Sequence, residues 1–462
     1  MKTYIADQAL LPQGWAEHVR ITVDANGMIA SVTGGAGKGS PTAGAASGSG
    51  QRLAGPVIPG MPNLHSHAFQ RAMAGLTEVA GDPEDSFWTW RDLMYRLVGR
   101  LNPEQVEAIA RYLYIDMLKA GYTSVAEFHY LHHDLDGKRY ANHAEMAERV
   151  LAAADDTGIG ITLLPVMYAH GGFGGKEPTT GQRRFIHNTD GYLDLLRDLE
   201  PLCRENGRRL GACFHSLRAV TLDEMSAILD ATKDGRPIHI HIAEQQKEVD
   251  DCVAWSGHRP IDWLYGHAPV DDRWCLIHAT HADEREVTAM AKSAAVVGIC
   301  PTTEANLGDG LFPAISYAQQ GGRFGIGSDS HVSLSVVEEI RWLEYGQRLK
   351  HERRNRLHGT DRANIGGYLY SACLAGGAQA LGQPVGEIKA GQRADFVVLN
   401  GTHPMTAHLK GDDLLSRWLF GSTDRLVKDV MVGGDWVVQD GRHPGEVEAG
   451  RRFAEVIRDA FA

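Results

Sequence analysis

Two histidines separated by one residue follow a short apolar segment near the start of the chain. Val57-Ile58 leads through a stretch rich in Pro and Gly to His65-Ser66-His67. Residues i and i+2 of an extended strand point to the same side, so both imidazoles can face one point. This arrangement suits a metal ion, although an isolated pair can equally be two exposed loop histidines. The remaining ligands must come from elsewhere in the chain.

Further candidate side chains stand at the ends of three other apolar segments. They are His241 and Glu244 in 238–244, His278 in 276–281, and Asp329 in 327–331. Three imidazoles and one carboxylate, from His65, His67, His241 and Asp329, suit Zn²⁺ with one position left for water, and Fe²⁺ is also acceptable. The same segments contain three histidines to which the pattern assigns no role, namely His239, His281 and His331.

Apolar and helical segments alternate regularly from residue 57 to residue 327 and predict eight strands with helices between them. Strands this continuously apolar belong in a parallel sheet that is covered on both faces. Eight such units close into a TIM-type (β/α)8 barrel, an α/β fold whose active site lies at the carboxyl ends of the strands. The alternative is an open doubly wound sheet, but no Gly-x-Gly-x-x-Gly follows a strand.

Strand-like segments at both ends of the chain cannot bury their apolar faces alone. Residues 1–55 and 385–445 are predicted to form one small β-sandwich, residues 56–384 the barrel, and residues 446–462 a C-terminal helix. Two further segments are predicted to be loops. The first, 34–50, is rich in Gly, Ala and Ser, and the second, 68–99, lacks a clear period and is long enough to be functional.

The composition describes an ordinary soluble globular protein. Its net charge of −12 argues against a nucleic-acid partner. Six scattered cysteines without a Cys-x-x-Cys pair favour a reducing, cytoplasmic compartment. No signal-peptide core or long apolar span predicts contact with a membrane. Histidine is unusually frequent, with 22 copies.

The chain resembles the amidohydrolase superfamily over nearly its whole length. The resemblance rests on His65-x-His67, His241-x-x-Glu244, His278, Ser328-Asp329 and the tail segment 386–396. Binuclear members of that superfamily carry a carboxylated lysine at the end of strand four. Here that strand runs into His215-Ser216-Leu217-Arg218 without a lysine, and this departure favours the mononuclear deaminase branch.

A closer resemblance is to the formimidoylglutamate deiminases of histidine degradation. It rests on five segments: 63–71, Phe87-Trp88-Thr89-Trp90-Arg91, 127–130, 215–218 and 241–245. It implies a hydrolase that converts N-formimino-L-glutamate and water to N-formyl-L-glutamate and ammonia. A bound Zn²⁺ would lower the pKa of water to near 7.

The expected catalytic residues are Asp329, His278 and Glu244. Asp329 would accept the proton of the water, and His278 would stabilise the tetrahedral intermediate. Glu244 would protonate the imino nitrogen and then the departing amine, because ammonia leaves only when protonated. The alternative for Glu244 is a partner that only orients a histidine.

A dicarboxylate substrate requires local cations in a protein of net negative charge. Arg91 and Arg218 are the candidates, with Arg71 as a nearby competitor; the alternative is that they form surface ion pairs. The resemblance adds Gln70, Tyr130 and His215 as polar contacts. The alternatives for Trp88 and Trp90 are to line the pocket or to pack in the core, and packing in the core is the prediction.

Two other functions fit parts of the pattern. One is a mononuclear deaminase acting on a heterocycle such as a purine, and the other is a non-catalytic metal-binding or scaffold protein. Analogy predicts a homodimer.

Overall fold

Strands and helices alternate through most of the chain. The computed structural model describes residues 1–35, 50–79, 87–204, 208–360, 362–422 and 425–461. The strands are β1 (Lys2–Leu11), β2 (Gly14–Val23), β3 (Ile29–Gly35), β4 (Gln51–Arg52), β5 (Val57–Pro59), β6 (Met61–Ser66), β7 (Tyr122–His129), β8 (Gly160–Met167), β9 (Arg209–Leu210), β10 (Ala212–Phe214), β11 (Ile238–Ile242), β12 (Trp274–His278), β13 (Val296–Ile299), β14 (Arg323–Ile326), β15 (Phe396–Leu399), β16 (Val427–Val432) and β17 (Asp435–Val438).

The helices lie mainly between the strands. They are α1 (Phe87–Val98), α2 (Pro103–Ala120), α3 (Glu145–Thr157), α4 (Thr189–Leu199), α5 (Leu222–Ala231), α6 (Gln246–Ser256), α7 (Pro260–His267), α8 (Glu284–Ser293), α9 (Pro301–Leu307), α10 (Ala314–Gln319), α11 (Val336–His351), α12 (Ile365–Leu381), α13 (Asp412–Gly421) and α14 (Glu446–Phe461). Short 3-10 helices cover Ala68–Met73, Thr180–Gln182 and Pro201–Cys203.

Eight parallel strands form the barrel, in the order β6-β7-β8-β10-β11-β12-β13-β14. A parallel bridge between Ser66 and Asp329 joins the end of β6 to the residues after β14. The backbone N–H of Asp329 donates to the carbonyl of His65 over 3.1 Å, which strengthens this junction. The predicted barrel is therefore confirmed, and the open doubly wound sheet is wrong.

Local sequence signals fix the ends of several barrel helices. Asn102 caps α2 through a reciprocal capping box with Gln105, and the helix ends at Gly121, whose φ of 97° is left-handed. Thr221 and Glu224 form the corresponding box at the start of α5. In both helices, residues close together in the sequence therefore determine where the helix begins.

Helix α12 closes the amino-terminal end of the barrel, opposite the strand ends that carry the candidate ligands. Its approach is so close that a Cβ added at Gly376 would lie 2.0 Å from the carbonyl oxygen of Phe324. Thr162 of β8 donates its hydroxyl to the carbonyl of Leu381 at the end of this helix over 2.8 Å. Only the carboxyl ends of the strands therefore remain available for a site.

The strands of both termini form a second sheet, in the order β17-β16-β15-β5-β1-β2-β3, with β4 paired to β1. Most pairs are antiparallel, whereas β1 pairs in parallel with β5. The sheet has its own buried cluster, which includes Tyr4, Ile21, Phe396 and Met431. This agrees with the predicted second sheet built from both ends of the chain.

The prediction of one long loop over 68–99 is wrong for its second half, where α1 spans Phe87–Val98. Phe87, Met94, Leu97 and Val98 are buried on one face of this helix, but the partly exposed aromatic residues between them obscure the helical period. The middle of this segment, 80–86, and most of the predicted loop 34–50 lie outside the described residues.

Two elements of the barrel are divided. The helical segment between β11 and β12 forms α6 and α7, because the left-handed Gly257 ends α6 and Pro260 starts α7. Predicted strand four is split into β9 and β10 at Gly211. None of the helices in the described part of the chain combines the length and apolarity needed to cross a membrane.

Candidate metal centre and substrate cavity

The four predicted metal ligands meet at the carboxyl end of the barrel. His65 and His67 extend from β6, His241 from β11, and Asp329 follows β14. His65 Nε2 lies 3.0 Å from His241 Nε2, and Asp329 Oδ1 lies 3.4 Å from the Nε2 atoms of both His65 and His67. All four residues are at most 6% exposed.

The hydrogen bonds and protonation of this cluster suit a cation. His67 Nδ1 lies 2.9 Å from the carbonyl oxygen of Phe128, which can only accept, so the ring donates there and leaves Nε2 free to ligate. Burial lowers the pKa of His65 to about 3 and also lowers the pKa values of His67 and His241. Neutral imidazole nitrogens then face one another and a carboxylate, which is a donor set for a divalent metal ion.

Strained backbone positions these side chains. Ala243, His278 and Asp329 have φ values of 49°, 70° and 46°, all in the left-handed region that residues other than glycine rarely adopt. They follow or end β11, β12 and β14 respectively. Strain of this kind persists only where the surrounding structure holds it, and it is common at active sites.

The three predicted catalytic residues lie together beside this cluster. His278 Nε2 is 3.7 Å from both Glu244 Oε1 and Asp329 Oδ2. His278 and Glu244 are at most 5% exposed. The nitrogens of His278 also come close to those of His65 and His241. These groups are therefore clustered and shielded from bulk water.

A cavity of about 620 Å³ opens onto the cluster, and Arg91 and Arg218 both line it. Within the described residues, neither arginine forms an ion pair with a carboxylate, and the buried Nε atom of each has no hydrogen-bond partner. Both guanidinium groups face Trp88, at 4.6 Å and 5.4 Å from its ring centre. Two guanidinium groups without a direct carboxylate partner in the described chain, facing one cavity, favour an anionic ligand.

The other three predicted contact residues also line this cavity. Gln70 donates its amide to the hydroxyl of Tyr130 over 2.9 Å, which leaves the amide oxygen of Gln70 without a partner in the described chain. The ring of His215 packs 5.1 Å from that of His241 and 5.7 Å from that of Tyr130. These polar groups therefore lie between the cluster and the arginines.

The competitor Arg71 is already engaged. It donates to the carbonyl of His331 over 2.7 Å and pairs with Asp116 at 3.4 Å. Trp88 and Trp90, predicted to pack in the core, both line the cavity because α1 presents them towards it, and Trp90 also packs against the hydrophobic core.

Known proteins resemble this chain in both sequence and fold. Residues 57–437 match the model of the amidohydrolase family, and residues 1–45 match that of the formimidoylglutamate deiminase HutF N-terminal domain. The chain belongs to the amidohydrolase family.

One curated relative is similar over the full length. The formimidoylglutamate deiminase of Pseudomonas aeruginosa is 61% identical over 457 residues, covering 99% of each chain. Among solved structures, an amidohydrolase from Brucella melitensis has a TM-score of 0.91 and 47% identity, with both chains fully covered. An adenosine deaminase from Xanthomonas campestris with bound zinc has a TM-score of 0.79 at 21% identity, covering 99% of this chain and 98% of its own. That last likeness shows the shared fold.

The protonation states of the three predicted catalytic residues of this amidohydrolase suit proton transfer. Burial raises the pKa of Glu244 to about 7. Burial would by itself lower the pKa of His278, but Glu244, Glu304 and Asp329 together raise it to about 10. Burial would likewise raise the pKa of Asp329, but His65, His278 and His67 hold it well below its usual range. At neutral pH, Asp329 is thus an acceptor, whereas Glu244 is divided between its two forms.

Sequence reasoning missed two carboxylates beside His278. Glu304 Oε1 lies 3.2 Å from His278 Nδ1, and the buried Asp309 lies close to Glu244 and His278. Burial raises the pKa of Asp309 to about 9. Both residues follow β13, the one strand end in the second half of the barrel at which the sequence analysis sought no ligand. The segment Cys300-Pro301-Thr302-Thr303-Glu304 could have directed attention there.

The remaining histidines of the same segments point elsewhere. His239 donates to the carbonyl of Ala380 over 2.8 Å, one layer deeper in the barrel than His241. His331 lies near the hydroxyls of Ser66 and Ser328. His281 is half-buried beside Asp309. A further group of packed imidazoles accounts for more of the high histidine content: His132, His133, His143 and His187.

Proposed function

We propose that this amidohydrolase hydrolyses N-formimino-L-glutamate to N-formyl-L-glutamate and ammonia. One observation carries the proposal: a histidine–aspartate cluster suited to a metal ion shares a cavity with two guanidinium groups that have no carboxylate partner among the described residues. The full-length likeness to a formimidoylglutamate deiminase supports the same substrate.

The proposed ligands are His65, His67, His241 and Asp329, and the proposed metal is zinc, with iron as the alternative. Imidazole nitrogens and a carboxylate oxygen are donors that Zn²⁺ accepts, and five-coordination leaves a position for water. When bound, the ion would supply Lewis acidity and lower the pKa of water to near 7. His278 is kept outside the ligand set because its Nδ1 is bound to Glu304 and its Nε2 faces two carboxylates.

The chain's own residues move the protons. Asp329 accepts a proton from the attacking water as the water oxygen adds to the amidine carbon. His278 donates a hydrogen bond through Nε2 and so stabilises the negative charge that develops on the added oxygen. Glu244 protonates the imino nitrogen, takes up the remaining proton of the added hydroxyl, and passes it to the resulting amine, so that the bond from carbon to that nitrogen breaks and ammonia leaves. The proton held by Asp329 then returns Glu244 to its acid form. The carbon keeps the water oxygen and becomes the formyl group.

The glutamate moiety occupies the far part of the cavity. We assign its two carboxylates to Arg91 and Arg218, because planar guanidinium groups bind carboxylates through two parallel hydrogen bonds. Gln70, Tyr130 and His215 contact the substrate between these arginines and the metal centre. Trp88 supports both guanidinium groups through its ring face.

An ammonia-release assay tests the proposed reaction directly. The zinc-loaded enzyme should release ammonia from N-formimino-L-glutamate but not from formamidine, which has the reacting carbon without carboxylates. Adenosine and guanine test the alternative of a purine deaminase. Release from either one, with none from N-formimino-L-glutamate, would overturn the proposal.

Removal of either arginine should weaken recognition of the substrate. Arg91→Met and Arg218→Met are each expected to reduce kcat/KM by at least about tenfold, since a hydrogen bond to a charged group contributes about 1.5–3 kcal/mol. Metal content should not change. Steady-state kinetics with elemental analysis makes the comparison.

Arg96 provides the matched control for these variants, because it is exposed on the same helix as Arg91. Arg96→Met should leave kcat/KM within about twofold of the parent. Parental kinetics in both Arg91→Met and Arg218→Met would show that the carboxylates bind elsewhere.

The cellular setting is part of the same proposal. All six cysteines are buried and free, which supports a cytoplasmic enzyme. The homodimer and the boundaries between barrel and terminal sheet given above stay predictions.

A further inference from the structure

Glu304 occupies a place in the site that no step of the proposed reaction uses. It lies in the first turn of α9, directly after β13, and is 4% exposed. Its Oε1 atom accepts from the backbone N–H of Cys300 over 2.8 Å and lies 3.2 Å from His278 Nδ1. A carboxylate can only accept, so His278 Nδ1 donates to it.

We infer that Glu304 is a positioning residue, which holds the ring of His278 so that Nε2 faces the reacting carbon. The inference rests on the proposed function for the identity of that carbon, but the contact itself does not. The bond from Cys300 fixes the carboxylate, and the carboxylate fixes both the orientation and the protonated nitrogen of the ring.

Backbone strain accompanies this contact. His278 ends β12, where it pairs with Ile242, but it and the following Ala279 have left-handed φ values of 70° and 49°, so its ring does not follow the ordinary alternation of a strand. His278 Nε2 lies 3.7 Å from its two carboxylate neighbours, which is too far for either to fix the ring by a hydrogen bond. Glu304 provides the one short contact to this imidazole among the described residues.

Glu339 is the matched control. It is also fully buried, and it binds the same short helix through the N–H and hydroxyl of Thr302 at 3.0 Å and 2.5 Å. Glu339→Gln perturbs the same helix α9 without touching His278. A merely structural role for Glu304 would therefore make Glu304→Gln and Glu339→Gln alike.

Kinetics with the zinc-loaded enzyme and N-formimino-L-glutamate gives the first readout. Glu304→Gln should lower kcat by roughly 10- to 100-fold with KM within about twofold, the usual cost of losing a partner that orients a site residue. Glu339→Gln should leave kcat within about twofold. In a His278→Asn background, Glu304→Gln should have almost no further effect, because a residue acting through His278 has nothing left to position.

Equal losses of kcat from Glu304→Gln in the parental and His278→Asn backgrounds would overturn the inference. So would equal losses in the Glu304→Gln and Glu339→Gln variants. If the parent enzyme itself released no ammonia from N-formimino-L-glutamate, the proposed function would fail instead.

A second readout does not depend on substrate. Spectra of the zinc-loaded enzyme labelled with ¹⁵N-histidine should contain an Nδ1–H signal that disappears in His278→Asn. That signal should shift or vanish in Glu304→Gln and persist in Glu339→Gln. Its persistence in Glu304→Gln would contradict the proposed contact even if the enzyme acts on another substrate.

Discussion

Replacement of His241 by asparagine is expected to remove most of the bound metal and to reduce turnover to near the background rate. His241 Nε2 faces His65 Nε2 at 3.0 Å, and no other imidazole of β11 reaches this point. Without the ion, water keeps a pKa near 15.7 instead of about 7 and is a very poor nucleophile at neutral pH. Elemental analysis and ammonia release measure the two effects.

His239→Asn is the control, because His239 lies two residues earlier on the same strand and donates to Ala380. Its loss should lower the melting temperature but leave about one metal ion per chain and nearly parental turnover. Chelation of the parent enzyme should abolish activity, and added Zn²⁺ should restore it. Full metal content in His241→Asn would exclude this residue as a ligand.

Loss of the carboxyl group of Glu244 is expected to have the second large effect. Glu244→Gln should reduce kcat by about 10²- to 10⁴-fold, the range for removal of a general acid or base. The amide has nearly the same shape but cannot transfer a proton to the departing nitrogen. Metal content should stay at the parental value, since Glu244 approaches His278 and not the proposed ligands.

Glu286→Gln controls for the removal of a buried negative charge. Glu286 is 3% exposed and caps α8, a task that glutamine also performs. The turnover of the Glu286→Gln variant should stay within about twofold of that of the parent enzyme. Unchanged turnover in Glu244→Gln with full metal content would leave Glu244 as only an orienting partner of a histidine.

The predictions for His241 and Glu244 depend on one site. Its residues differ in how easily they can be identified from the sequence. His65 and His67 are two apart on a strand, and His241 ends another, so period and position alone indicate a shared point. Arg91 is different. The aromatic residues around it obscured the period of α1, and its place in the cavity depends on how that helix packs.

Glu304 shows the limit most clearly. Its chemical type is unremarkable in a chain with 58 acidic residues, and the distance of 26 positions from His278 gives no signal. Only the close approach of the ends of β12 and β13 creates the contact. Trp88 shows the same limit of sequence-based prediction. It was expected in the core and instead lies beneath two guanidinium groups.

The amino-acid sequence by itself determined the alternation of strands and helices, the barrel and the residue types at its strand ends, because these depend on periodicity and local capping. The tertiary structure alone decided which charges remain unpaired, which ring nitrogen donates, and which carboxylate lies beside which imidazole. Those properties arise from contacts between distant segments, and the physical reason is that burial and hydrogen bonding are set by neighbours that local sequence does not specify.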